Sequence, residues 1–314
     1  MGTGRQRNRL RRRPPPAPAG AVLPRPPSAT LVQDIRAAAR GGLSVPFPTM
    51  TAMPSAATTG REAPRWEVLR AWEGLRARAR AATAGLPAVP EPGPEVCACC
   101  RGPARRGFAR CFQCGLHAER APGLLADVVA PVACAPKGSR LATDLWRYKS
   151  GRAGSREAGS ALLAMLLVFL HDQGPRVWQR AGAAAPTGAC VVPSGRGRPG
   201  PHPMQELVRG CLALPWAALV ARPGGNPWTR GLDPGRFRAP EPLAGAAVLL
   251  LDDTWTSGGT AQSAAMALKR AGARSVAVVV LGRHLPPVPG HSCPAAPGAP
   301  RSTPAGAPVN RLGW

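Results

Sequence analysis

The sequence predicts an α/β fold: a parallel sheet covered by helices on both faces, with a small metal-binding module before it. Three observations support this prediction. After residue 123, short apolar runs alternate with helical patterns, which is typical of strands buried on both faces. One of these runs leads directly into Asp252-Asp253. Two Cys-x-x-Cys pairs, beginning at Cys97 and Cys111, precede the whole region.

Composition divides the 314-residue chain into a folded centre and two low-complexity ends. The 39 prolines and 37 glycines are concentrated near the termini, and such segments cannot bury a core. We therefore predict five segments. They are a disordered Arg/Pro/Ala-rich leader (1–65), a helix and linker (66–94), a metal-binding module (95–122), an α/β domain (123–285) and a disordered Pro/Gly-rich tail (286–314).

The first half of the chain supplies one helix before the cysteines and three elements after them. Apolar residues recur every three positions from Trp66 to Leu75, and this predicts an amphipathic helix over 66–82. The valine- and alanine-rich run 126–132 predicts the first strand. A short helix over 141–148 follows, and then a helix over 156–171 whose five leucines form a wide apolar face.

The second half continues the alternation of strands and helices. Runs at 189–193 and 216–221 predict strands on either side of a helix over 204–214. The run 246–251 is almost purely aliphatic and predicts a buried strand. A helix over 259–271 and a last buried strand over 275–281 complete the sheet.

The net charge of +25 raises the question of a nucleic-acid partner. Residues 1–65 contain eleven arginines against two acids, and the whole chain has only three lysines. Such arginine usage also fits a GC-rich coding sequence, so the charge alone does not decide the question. No apolar run approaches the roughly 18–20 residues of a membrane span, and no secretory signal is evident. We predict a cytoplasmic protein with no membrane partner.

The clustered cysteines predict a structural zinc site. Two knuckles separated by ten residues place four thiolates around one tetrahedral ion, and a closed S₄ site leaves no position for a substrate. The predicted ligands are Cys97, Cys100, Cys111 and Cys114. A redox pair or a chance cluster is the alternative. Cys99 is an additional thiol that could compete for register. His117 could in principle replace one of the ligands, but we expect it to face solvent. The remaining cysteines, Cys134, Cys190, Cys211 and Cys293, are isolated; except for Cys293 in the tail, we expect them to be inert or merely buried.

The segment that follows Leu251 has the chemistry of a ribose 5-phosphate site. Asp252 and Asp253 can accept hydrogen bonds from the vicinal hydroxyls of a sugar or hold Mg²⁺ through water. In the next turn, Gly258 and Gly259 lack a Cβ, so backbone amides can close on a phosphate at the beginning of a helix. Hydroxyl donors are added by Thr256, Ser257 and Thr260. The alternative is an acidic strand end followed by an ordinary helix cap, with no bound ligand.

With these residues in place, 249–260 resembles the phosphoribosyl-diphosphate (PRPP) motif of type I phosphoribosyltransferases. The resemblance implies that Asp252 and Asp253 contact the ribose and that 256–260 wraps the 5-phosphate, with Mg²⁺ bound together with PRPP. It implies a diphosphate loop after an earlier strand, where Ser194 and Arg196 lie. A mobile loop over 230–237, with candidates Arg230 and Arg236, is a further hypothesis.

The cysteine pairs placed before such a domain are similar to those of the ComF (competence protein F) family, over about 95–285. The resemblance implies, from the position of Lys149 in the family's pattern, that this lysine reaches the diphosphate. The alternative is a solvated lysine at the end of a helix. The family's usual Arg-Gly-Phe-Asn-Gln segment is replaced here by 199–203.

Three functions remain open from the sequence. The first is binding of PRPP, with possible transfer of phosphoribosyl to a nitrogen acceptor. The second is a non-catalytic ComF-like factor in DNA uptake or recombination that binds single-stranded DNA or a protein partner. The third is a zinc-stabilised scaffold with neither property. No general base is evident among the candidate residues.

Overall fold

The computed structural model describes residues 65–194, 202–222 and 231–286. The predictions for the disordered leader and tail, and those for Arg196, Arg230 and Cys293, fall outside these residues. The described part contains the predicted α/β architecture: a four-stranded parallel sheet with helices on both faces, and a cluster of four cysteines before it.

The sheet has the strand order β1-β6-β5-β2, and every neighbouring pair is parallel. Its strands are β1 (Val128–Pro136), β2 (Gly188–Val191), β5 (Ala247–Trp255) and β6 (Ser275–Leu285). A separate two-stranded antiparallel ladder joins β3 (Val220–Ala221) and β4 (Phe237–Arg238). Because the four strands are parallel, their carboxyl ends meet at one edge of the sheet, where ligands bind in open α/β folds.

The helices lie on two sides of this sheet. In chain order they are α1 (Arg65–Thr83), α2 (Phe112–Arg120), α3 (Arg140–Arg147), α4 (Ser155–Arg180), α5 (Pro203–Val208) and α6 (Gly259–Arg270). The side chains of β5 alternate between the two faces: Leu249 and Leu251 pack in the core with α1, α3, α4 and α5, while Val248 and Leu250 pack with α6 and the cysteines. Burial on both faces explains why the strand sequences are continuously apolar.

Two predicted helices have different lengths in the structure. The helix predicted to end at 171 continues to Arg180, because Val177 and Trp178 carry its buried face further along the core. The helix predicted over 204–214 ends at Val208, and Gly210 then adopts a left-handed φ of 74° that breaks the helix. Residues beyond this break are also buried, so the apolar pattern alone overestimated the length of the helix.

The predicted strand 216–221 is not a strand of the parallel sheet. Only Val220–Ala221 is a strand, and it pairs with β4. Trp216 contacts the sheet edge through a single parallel bridge to Ala189. By contrast, β5 is longer than predicted and includes both aspartates.

Within the described residues, no helix combines the length and the apolar character needed to cross a lipid bilayer.

Candidate functional site

A cavity of about 710 Å³ opens at the carboxyl ends of β2, β5 and β6. Its walls come from the end of β5, from the segment after β2 that contains Ser194, from α3 with the residues that follow it, and from His284 near the end of β6. A volume of this size falls within the roughly 300–1,000 Å³ of small-molecule sites. The cavity lies where the sequence predicted a ligand.

Asp253 is the most constrained residue of this cavity. Its side chain is buried, and one carboxylate oxygen, Oδ2, lies 2.6 Å from Lys149 Nζ and 2.6 Å from the Tyr148 hydroxyl, which donates to it. Burial opposes ionisation of Asp253. The charge of Lys149 and the hydrogen bonds from Lys149 and Tyr148 outweigh burial and hold its pKa below the ordinary value. Asp253 is therefore an anion at neutral pH.

The adjacent Asp252 is in the opposite electrostatic state. Burial and the negative charge of Asp253 raise the pKa of Asp252 to about 8. Its Oδ1 accepts a hydrogen bond from the backbone amide of Asp253 at 2.8 Å. One carboxylate and one largely protonated carboxyl thus stand side by side, so a cation or a polarised hydroxyl that arrives there stabilises the ionised form of Asp252.

The turn after β5 is built over the indole of Trp255. Trp255 is only 1% exposed and is not among the residues that line the cavity. Gly258 has a φ of 81°, and a Cβ added to it would lie 2.1 Å from the indole ring. Only glycine permits both this φ and this close approach. Trp255 therefore supports the turn from below and leaves the cavity open.

The structure brings six of the ten residues that were predicted to bind PRPP to the wall of one cavity. They are Asp252, Asp253, Thr256, Thr260, Ser194 and Lys149. Ser257, Gly258 and Gly259 belong to the same turn but do not line the cavity. Arg196 lies outside the described residues. Lys149, expected at a diphosphate or in solvent, forms an ion pair with Asp253.

Several cavity residues were not singled out from the sequence. Arg152 and His202 line the wall, and the imidazole of His202 accepts a hydrogen bond from the Met204 amide at the beginning of α5. Arg236, which the sequence offered only as part of a mobile loop, is 7% exposed and also lines the cavity. No local motif marks an isolated Arg or His in a chain so rich in arginine, so only the fold could identify them.

The four predicted metal ligands form a compact cluster. The Sγ atoms of Cys97, Cys100, Cys111 and Cys114 all lie within 4.8 Å of one another. The Sγ atoms of Cys100 and Cys111 are 3.8 Å apart, and a tetrahedron with Zn–S bonds of about 2.3 Å has S–S edges of about 3.8 Å. The donor set therefore fits a structural metal such as zinc.

The prediction that His117 faces solvent is wrong. His117 is 1% exposed. It follows Cys114 by three positions on α2, and residues three apart share one face of a helix. Because Cys114 turns this face toward the cluster, His117 turns inward as well. Cys134, Cys190 and Cys211 are buried, as a merely structural role requires.

Arg283 joins the cysteine cluster to the turn after β5. Its side chain is 8% exposed. Nε donates to the Cys100 carbonyl at 3.2 Å, and Nη2 lies 3.5 Å from Cys100 Sγ. Nη1 donates to the carbonyls of Trp255, at 3.2 Å, and Thr256, at 3.1 Å, and also to that of His284. One guanidinium thus satisfies backbone acceptors in both regions.

No protein-family model matches this chain, and no curated protein matches it. The functional interpretation therefore depends on the motifs and on the geometry of the cavity.

Proposed function

We propose that this chain is a ComF-like protein with a type I phosphoribosyltransferase fold, and that the cavity at the end of β5 binds PRPP or another ribose 5-phosphate ligand. One observation carries the proposal. The two adjacent aspartates and the hydroxyls of Thr256 and Thr260, all from the segment after Leu251, line one cavity of suitable size together with Lys149, which comes from a distant part of the chain.

The charges of the cavity fit a polyanion that arrives with a divalent cation. Lys149, Arg152 and Arg236 contribute three positive charges, against one firmly ionised carboxylate at Asp253. Arg provides bidentate donors for phosphate oxygens. The raised pKa of Asp252 leaves a carboxyl that ionises when a cation binds nearby. Mg²⁺ bound there would neutralise phosphate charge.

The turn before α6 supplies the phosphate-binding part of the proposed site. Gly258 caps a 12-residue helix in the left-handed conformation, so the first amides of α6 lack helical partners and are suited to bind an anion. In this proposal the hydroxyls of Thr256 and Thr260 bind the 5-phosphate, and Asp252 and Asp253 bind the ribose hydroxyls. The cysteine module holds zinc and has a structural role.

Isothermal titration of the full chain with PRPP and Mg²⁺ tests the proposal. We expect saturable binding, which Asp252→Asn and Asp253→Asn each weaken by at least about tenfold, or about 1.4 kcal/mol. Glu241→Gln is the matched control, because Glu241 is exposed and does not line the cavity. Equal binding by all four proteins, or no binding by wild type, would contradict the proposal.

Release of diphosphate distinguishes a transferase from a binding protein. PRPP and Mg²⁺ are incubated with the chain and a panel of nucleobases, and free diphosphate is measured. Base-dependent release supports phosphoribosyl transfer to nitrogen. Binding without release under every condition supports the non-catalytic alternative, in which the site acts as a sensor.

A further inference from the structure

A second cavity, of about 670 Å³, lies between the cysteine module and the sheet. Its walls come from the cysteine module, from the beginning of β1, from the last residue of α4 and from the first turn of α6. None of its residues lines the cavity at the end of β5. The motifs that predicted the first cavity say nothing about this one.

The charged side chains of this second cavity are mainly arginines. Arg101 is 5% exposed, whereas Arg110 and Arg180 are exposed at the rim. The one acid in the lining, Asp127, is already held by Lys269 Nζ at 2.7 Å and by the Val276 amide at 2.7 Å. Glu91 lies 4.0 Å from Arg101 and is more than half exposed. Arginines therefore outnumber acidic residues in the lining by three to one.

A buried polar group also faces this cavity. His117 is 1% exposed and lines the cavity, and neither of its ring nitrogens has a hydrogen-bond partner among the described residues. Burial and the charge of Arg120 lower the pKa of His117, so the ring is neutral and offers one N–H donor. Buried polar groups without a protein partner usually bind water or a ligand.

We propose that this second cavity binds a small anion with phosphate or diphosphate chemistry. Guanidinium groups at Arg101, Arg110 and Arg180 match phosphate oxygens geometrically, and His117 donates from the cavity floor. The other lining residues include small aliphatic side chains and no Trp, Tyr or Phe. A nucleobase would therefore find no stacking partner, which favours a small phosphorylated molecule over single-stranded nucleic acid.

Histidine ring NMR of the full chain, prepared with zinc, reports the two cavities separately. His117 lines the second cavity, whereas His202 and His284 line the cavity at the end of β5. Loss of one signal in His117→Gln assigns the His117 resonances. Inorganic diphosphate is the probe, and a thymidine oligonucleotide without a terminal phosphate is the comparison.

We expect diphosphate to shift the His117 signals with an apparent Kd below about 1 mM. Arg110→Ala/Arg180→Ala should weaken this response at least tenfold. The control Arg105→Ala/Arg106→Ala, which removes two exposed arginines of the same module outside the cavity lining, should leave it unchanged.

Three outcomes would overturn the inference: His117 signals that do not move with diphosphate, an equal loss in both arginine variants, or a response to the oligonucleotide alone. The PRPP proposal has its own reporters, His202 and His284, so either proposal can fail without the other.

Discussion

Replacing Arg283 with Met should destabilise the protein by about 4 kcal/mol. Met preserves most of the buried aliphatic stem and removes the guanidinium. Two of the carbonyls that lose their donor, those of Cys100 and Trp255, belong to buried residues. Each buried acceptor left without a partner costs about 1–3 kcal/mol, so the pair costs about 2–6 kcal/mol. Thr256 is exposed and His284 is half-buried, and water can replace the lost donor at both.

Urea denaturation of the zinc-loaded protein, followed by circular dichroism, measures this loss. The matched control is Arg156→Met, at an exposed arginine in the first turn of α4, and it should change the free energy of unfolding by less than about 0.5 kcal/mol. Because Arg283 also contacts the metal module, Arg283→Met should release zinc to a chelator faster than the control does. A loss below about 1 kcal/mol, with unchanged zinc release, would refute the structural role assigned to Arg283.

Three further predictions concern the glycine turn, the aspartate pair and the metal. Gly258→Ala should lower the free energy of unfolding by at least about 2 kcal/mol, because the added Cβ meets the Trp255 ring and the φ of residue 258 is left-handed. The control is Gly115→Ala within α2, where an added Cβ meets no other atom. This control should be neutral or slightly stabilising in the same urea titration. The folded-state pKa of Asp252 is raised, so its contribution to stability is complete below the ordinary aspartate value of about 4 and is lost as pH rises through about 8. Wild type should therefore lose stability relative to Asp252→Asn between about pH 4 and pH 8, and parallel profiles would contradict the assigned pKa. Chelation should release one zinc per chain and lower the melting temperature, whereas the quadruple Cys→Ser variant should bind none in elemental analysis.

The order of helices and strands around the sheet could be predicted from local pattern. A short continuous apolar run such as Val248 to Leu251, placed between helical patterns, is typical of a strand buried on both faces of a covered parallel sheet, and this strand is buried on both faces. The spacing of the cysteines is equally local, because two Cys-x-x-Cys pairs are typical of a four-thiolate structural metal site. Both predictions are confirmed at the level of a parallel α/β sheet and a four-thiol cluster.

Tertiary structure decided which polar residues share a cavity and in which state they are charged. The sequence places Lys149 and Asp253 more than a hundred positions apart, and only the packing of α3 beside β6 brings Lys149 Nζ to 2.6 Å from the carboxylate. No sequence motif marks Arg283 or His117. Arg283 nevertheless connects the cysteine cluster to the turn after β5, and His117 lines the second cavity. Hydrophobic pattern is a local property that sequence records directly, whereas charge pairing and burial depend on distances between distant segments, which exist only in the folded chain.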